Sequence, residues 1–183
     1  MHLALRNHRL HAVAGIAKYR GGRTHGDPPR ALLGLPRILS TAEDAQWLLD
    51  AAPSAANGLT FCTGSYGVRE DNDLVAMAKH FAPFIYFTHL RSTRREADPR
   101  SFHEAHHLGG AMSTWSGSLV PWWRKSAGGN VKGPHACRCV LTMGNQLLDD
   151  QHRKSNPGYS LIGGLKGLAE IRGVELAMRQ QLN

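Results

Sequence analysis

Residues 59–63 read Leu-Thr-Phe-Cys-Thr and residues 84–90 read Phe-Ile-Tyr-Phe-Thr-His-Leu, and these two segments decide the fold that the sequence predicts. Both are short, continuous and rich in β-branched or aromatic side chains, which is typical of buried strands in a parallel sheet. Between them, residues 74–81 repeat apolar side chains at helical spacing. The order strand, helix, strand with short connections predicts an α/β protein with a parallel sheet.

Two helices are predicted next to these strands in the sequence, one before the first strand and one between the two strands. Residues 40–43 read Ser-Thr-Ala-Glu, which has the form of a capping box, and the helix that follows should bury Trp47, Leu48 and Ala51. The helix over 74–81 is expected to begin at a cap formed by Asp71 or Asn72.

Further along, residues 101–108 are expected to form a short helix, and a long helix is expected from about 160 to 181. The short helix would place His103, His106 and His107 on one face. Such a face is more often solvated than metal-binding.

Cys62 and His89 stand at the ends of the two predicted strands. Catalytic groups of parallel α/β folds lie at the carboxyl ends of strands, so these two side chains are expected to be neighbours. A thiolate and an imidazole can bind a transition metal. Two alternatives stay open: a buried core thiol beside a hydrogen-bonded histidine, or a Cys–His nucleophile pair, although no helix N-terminus is evident beside Cys62.

The 183-residue chain carries a formal net charge of +8, and its basic residues are concentrated in two segments. Residues 1–30 hold six Lys/Arg and one acidic residue, and residues 111–143 hold four Lys/Arg and no acidic residue. A nucleic-acid-binding protein should instead present its basic residues along the ordered elements, so this class is disfavoured. No apolar run reaches the roughly 18–20 residues of a membrane span, and three cysteines favour a reducing cytoplasm over a disulfide framework.

Several longer motifs occur at about residues 27–110 and 144–178, and they read as follows: Asp27-Pro-Pro-Arg30, Leu33-Gly-Leu-Pro-Arg-Ile38, Asn57-Gly-Leu-Thr-Phe-Cys-Thr-Gly-Ser-Tyr-Gly-Val-Arg69, Phe87-Thr-His-Leu-Arg-Ser-Thr93, Phe102-His-Glu-Ala-His106, Gln146-Leu-Leu-Asp-Asp150, Asn156-Pro-Gly-Tyr-Ser160 and Leu165-Lys-Gly-Leu-Ala-Glu-Ile-Arg-Gly-Val-Glu-Leu176. These motifs closely resemble mannonate dehydratase, and the matching stretches cover well over half of the chain.

The resemblance implies a fold and a reaction. The fold would be the C-terminal portion of a (β/α)8 TIM-type barrel of the xylose-isomerase-like kind, with residues 1–183 as a single partial barrel domain. The reaction would be the removal of water from D-mannonate to give 2-keto-3-deoxy-D-gluconate, with Fe2+ or Mn2+, in cytoplasmic glucuronate catabolism. A barrel of this kind needs about 250 residues, so open strand edges would favour self-association into a homo-oligomer. The alternatives are a non-catalytic remnant or a small basic nucleic-acid-binding protein.

The resemblance also assigns site residues. One metal would be held by His, Cys, His and Asp, of which Cys62 and His89 match the second and third. The first should open a His-Pro-Asp-Asp-Pro-Pro motif, but residues 24–29 read Thr-His-Gly-Asp-Pro-Pro, which leaves His25 one position late. Tyr159 matches an active-site tyrosine. Arg91 is expected either to pair with the substrate carboxylate or to form an ion pair at the rim.

The fourth metal ligand and the histidine after it should occur in an Arg-Pro-Asp-His-Gly motif, where residues 141–144 read Leu-Thr-Met-Gly. These residues can be encoded CTG ACC ATG GGC, and reading from the third base gives Asp-His-Gly. Residues 111–115 read Ala-Met-Ser-Thr-Trp, and the same shift recovers Asp-Val-Asp-Met, the continuation of the family. We therefore hypothesise compensating frameshifts around 111–143. Residues 1–26 and 111–143 match the family poorly and are candidates for disorder.

Overall fold

The computed structural model describes residues 21–24, 26–98, 100–107, 138–140 and 159–182. Six strands are described, which in chain order are β1 (Gly21–Arg23), β2 (Asn57–Cys62), β3 (Ile85–His89), β4 (Thr93–Arg95), β5 (Phe102–Glu104) and β6 (Arg138–Val140). Four helices are described, which are α1 (Ala42–Ala51), α2 (Thr63–Tyr66), α3 (Leu74–Phe81) and α4 (Leu161–Leu182). A 3-10 turn, Ala82–Phe84, connects α3 to β3.

The main sheet has four strands in the order β1-β2-β3-β6, and every neighbouring pair is parallel. This arrangement confirms the predicted α/β class and the predicted parallel pairing of the two apolar segments. Of residues 111–143, the structure describes only 138–140, which form β6. That the sheet is part of a barrel stays a prediction.

The two faces of β2 have different neighbours because side chains alternate along a strand. Leu59 and Phe61 belong to the buried core together with the helices. Asn57, on the same face, donates from Nδ2 to the carbonyl oxygens of Leu48 and Ala52 at 3.1 Å each, and so ties the end of α1 to the start of β2. Thr60 and Cys62 therefore point to the opposite face of the sheet.

The core lies between the sheet and the helices. The predicted apolar face of α3 is confirmed, since all four of its members are buried: Leu74, Met77, Ala78 and Phe81. From α1, Leu48 and Leu49 enter the same core, whereas Trp47 is 52% exposed. The predicted burial of Trp47 is wrong because the helix turns the positions of Ala45, Leu48 and Leu49 inward.

The helix caps lie one or two residues later than predicted. Thr41 caps α1, and its side chain forms the capping box with Asp44 rather than Ser40 with Glu43. Asp73 caps α3, since its Oδ1 accepts hydrogen bonds from the backbone N–H groups of Val75 and Ala76. The helix starts were thus recognisable, but neighbouring polar residues compete for the cap position.

The short helix predicted over 101–108 is wrong. β5 instead pairs with β4 as an antiparallel hairpin, with Arg94 opposite His103. The turn is closed by Asp98, whose backbone carbonyl accepts from Ser101 N. His103 is exposed and His107 is buried, so the three histidines do not share a face.

The C-terminal helix is confirmed, with α4 spanning nearly the predicted range. Ile171 joins the core, while Leu161, Leu165, Leu168 and Leu176 are exposed. Across the described parts of the chain, no helix combines the length and the apolar character that crossing a bilayer would require.

Candidate functional site

Cys62 and His89 are the last residues of β2 and β3, and the two residues pair in register. Because paired residues of adjacent parallel strands project to the same side, the thiol and the imidazole share one face of the sheet. This is the face opposite the helices. The predicted proximity of the two residues is therefore confirmed at the level of the strand register.

The thiol of Cys62 is enclosed and 1% exposed. Cys62 is also the N-cap of α2, where its Sγ accepts a hydrogen bond from Ser65 N at 3.4 Å. Burial raises the pKa of Cys62 to about 11, although the Ser65 N–H and the charge of Arg91 act in the opposite direction. The sequence interpretation missed this cap because α2 is only one turn long and its cap position holds a cysteine instead of Ser, Thr, Asp or Asn.

Arg91 lies two residues beyond His89 and is 7% exposed. Its guanidinium forms ion pairs with Asp27 and with Glu104, and Nε donates to Glu104 Oε1 at 2.7 Å. The ring of Phe102 lies beside it, 5.8 Å from the guanidinium carbon to the ring centroid. Burial alone lowers the pKa of Arg91, but Glu104 and Asp27 outweigh it and raise the pKa above its usual value.

Hydroxyl groups fix the turns around this edge of the sheet. Thr63 Oγ1 donates to Arg91 O at 2.8 Å, and Thr93 Oγ1 donates to Gly64 O at 2.9 Å. Ser65 Oγ donates to Gly26 O at 3.2 Å, which links the turn after Cys62 to the segment that carries Asp27. The backbone on either side of the Cys62–His89 pair is therefore held by several independent hydrogen bonds.

The sequence interpretation places His107 on a helix face that is usually solvated, but the structure buries this histidine near the same edge of the sheet. His107 is 3% exposed, and its Nε2 lies 2.8 Å from Leu90 O, just beyond β3. Its Nδ1 lies 4.0 Å from Glu170 Oε2 on α4, and Glu170 also pairs with Lys166. The predicted helix over 101–108 concealed this role, which depends on a partner 63 residues away.

The structure gives less information on the other predicted site residues, His25 and Tyr159. His25 lies outside the described residues. Tyr159 is 63% exposed just before α4, so it is not buried together with Cys62. The roles assigned to Tyr159, Arg91 and His25 stay predictions.

The donor chemistry of the pair suits part of a metal site. Thiolate sulfur and imidazole nitrogen are good ligands for first-row transition metals. Within the described ranges, no group of three or more His, Cys, Asp or Glu side chains is placed to hold a metal ion. Cys62 and His89 therefore fit as half of the ligand set that the resemblance implies.

Comparisons with known proteins agree on one family. The model of the D-mannonate dehydratase (UxuA) family matches residues 23–183. A mannonate dehydratase of Chromohalobacter salexigens is 52% identical over 179 residues, which is 94% of this chain and 45% of that protein. A mannonate dehydratase of Marinomonas sp. is 48% identical over 156 residues, which is 85% of this chain and 40% of that protein.

The same family appears among solved structures. The crystal structure of mannonate dehydratase from Streptococcus suis serotype2 superposes with a TM-score of 0.77 at 25% identity, covering 92% of this chain and 46% of that one. The chain thus spans less than half the length of the relatives it matches. With a family match over most of its residues and a fold in common, the chain belongs to the D-mannonate dehydratase (UxuA) family.

Proposed function

We propose that this chain carries the metal-binding strand ends of a mannonate dehydratase, in the C-terminal portion of a (β/α)8 barrel. The observation that carries the proposal is the in-register pair of Cys62 and His89 at the carboxyl ends of β2 and β3. It falls within the region matched by the family, and a catalytic site at that edge is the general rule for such folds. The substrate would be D-mannonate and the metal Fe2+ or Mn2+.

The dehydration takes a proton from the carbon next to the carboxylate and expels a neighbouring hydroxyl, so that the products are a keto acid and water. Fe2+ or Mn2+, when bound, supplies positive charge that stabilises the negative charge developing on the substrate. Cys62 and His89 would hold this ion. Tyr159 would move a proton as an acid or base, since a phenol can do either within hydrogen-bond reach. Burial raises the pKa of Cys62 to about 11, so the thiol is protonated at neutral pH. It must therefore lose this proton when its sulfur binds the ion.

We further propose that the protein works in the cytoplasm, where a reducing environment keeps the thiol of Cys62 available. A homo-oligomer also stays part of the proposal, supported by the exposed leucines of α4. Four of them recur on one side of this helix: Leu161, Leu165, Leu168 and Leu176.

Cobalt is a direct probe of the thiol. The chain is expected to bind Co2+ weakly and to show a thiolate-to-cobalt charge-transfer band, which Cys62→Ala should abolish. The apparent affinity should rise about tenfold per pH unit below the pKa of the thiol, because each unit raises the thiolate fraction tenfold. Titration with Co2+ followed by absorbance measures both effects. A double variant of Cys137 and Cys139 to Ser is the matched thiol control and should keep the band, whereas a band that survives in Cys62→Ala would contradict the proposal.

The activity itself is best tested in a chimera, because the chain covers less than half of its relatives. Residues 57–107 would replace the corresponding segment of the C. salexigens enzyme. The chimera is expected to dehydrate D-mannonate, and Cys62→Ala within it should lower kcat/KM by at least about 100-fold. Lys79→Ala, on the exposed side of α3, is the control. A folded but inactive chimera, or an active one unaffected by Cys62→Ala, would count against the function.

A further inference from the structure

Arg91 joins three separate segments of the chain at the edge that carries Cys62 and His89. We propose that Arg91 is a positioning residue of the metal centre, which holds the segment around Asp27 and the β4–β5 hairpin against the turn that follows Cys62. This inference rests on the proposed metal site. Of the two roles that the sequence leaves open for Arg91, it departs from pairing with the substrate carboxylate and extends the alternative, an ion pair at the rim.

The two edges of the guanidinium have carboxylate partners from different parts of the chain. One edge pairs with Asp27, 64 positions earlier in the chain. Nε and the adjacent amino group pair with Glu104 on β5. A planar guanidinium binds carboxylates in fixed directions, so this double pairing sets the relative positions of both segments.

The aliphatic stem of Arg91 also contacts the turn after Cys62. A Cβ built on Gly64 would lie 2.4 Å from Arg91 Cγ and 2.5 Å from its Cδ. Since real Cβ atoms do not approach so closely, the absence of a side chain at Gly64 lets the arginine pass.

Electrostatics favours positioning over substrate binding. Arg91 is 7% exposed, and its positive charge is already matched by two carboxylates. A substrate carboxylate would have to displace Asp27 or Glu104 from a guanidinium that is itself buried, and a buried charge that loses its partner is costly. With both carboxylates in place the group carries a net charge of −1, which attracts a divalent cation near Cys62, whereas an unmatched guanidinium would repel it.

The experiment measures Co2+ affinity of the 183-residue chain by its thiolate charge-transfer band, without substrate. Arg91→Met and Asp27→Asn are each expected to weaken binding about 10–100-fold, the usual effect of losing a group that orients metal ligands. Arg91→Lys should lose less cobalt affinity than Arg91→Met, because an ammonium group can still pair with one of the two carboxylates, although without the fixed directions of a guanidinium. Arg172→Met, which removes an exposed guanidinium on α4, is the matched control and should change affinity less than twofold.

Urea unfolding of each variant separates loss of the fold from loss of position. Asp27 is 43% exposed, so Asp27→Asn should leave the unfolding midpoint nearly unchanged while it weakens cobalt binding. When Arg91→Met and Asp27→Asn are combined in one variant, their effects on cobalt affinity should not add, because both substitutions remove the same ion pair. Unchanged cobalt affinity in Asp27→Asn and Arg91→Lys would overturn the inference and leave the metal site intact. A parent chain without a Cys62-dependent band would instead overturn the metal site and the inference with it.

Discussion

Replacing Thr142 by Asp and Met143 by His is expected to raise the affinity of the chain for Co2+ by at least about tenfold. The reason lies in the order of the sheet. β6 pairs with β3 in parallel, with Val140 opposite His89. β6 therefore ends at the same edge of the sheet as β2 and β3, and Thr142 and Met143 come two and three positions after Val140 in the sequence. The resemblance to the family implies an Asp-His pair at these two positions, and the added carboxylate is expected to supply a third ligand beside Cys62 and His89, which the described residues do not complete to a group of three.

Charge-transfer titration of the parent and the double variant checks this result. The matched control changes Thr142 to Asn instead of Asp, which keeps the size of the side chain and removes its negative charge. With Cys62 and His89 as its described donors, the parent chain is expected to turn over D-mannonate little or not at all. Equal cobalt affinity in the parent, the Asp variant and the Asn variant would contradict the prediction, as would rapid chelator-sensitive turnover by the parent.

Phe81→Ala is expected to lower the free energy of unfolding by about 3–5 kcal/mol. Phe81 is 1% exposed at the end of α3 and packs in the core cluster together with Leu59 and Leu48. Removing its ring loses buried apolar contact and leaves a cavity that the sheet behind it cannot collapse to fill. Loss of this size is a large fraction of the stability of a small domain.

Urea denaturation followed by circular dichroism measures the change. Phe84→Ala is the matched control, since Phe84 is 39% exposed in the 3-10 turn only three residues later. It should cost less than half as much. A similar loss for both phenylalanines would show that the sheet–helix core is not packed as described.

The sequence predicts β2, β3 and the core face of α3 because these depend on local patterns. The apolar runs before Cys62 and His89 are long enough to be recognised without any partner, and their parallel order follows from the helix between them. The helix caps were misplaced by one or two residues because Ser40, Thr41, Asp71, Asn72 and Asp73 have nearly equal capping preference.

The surroundings of the site depend on contacts that no local pattern records. Arg91 meets Asp27 and Glu104 across 64 and 13 positions of the chain. β5 was mistaken for a helix because Phe102, Glu104 and their neighbours form a strand only through pairing with β4. Tertiary contacts thus determine the electrostatics around Cys62, while the sequence alone identifies the thiol itself.

The connections between the parallel strands of the main sheet differ in length, and this difference bears on which strand pair forms first during folding. Residues 63–84 separate β2 from β3, whereas residues 90–137 separate β3 from β6. Closing the shorter connection costs less chain entropy, by about 0.7 kcal/mol, so the β2–β3 pairing is expected to form first. An altered reading frame over 111–143 would affect the later part of this longer connection and β6 itself. The pairing that brings Cys62 beside His89 would therefore be complete before the altered segment takes part in folding.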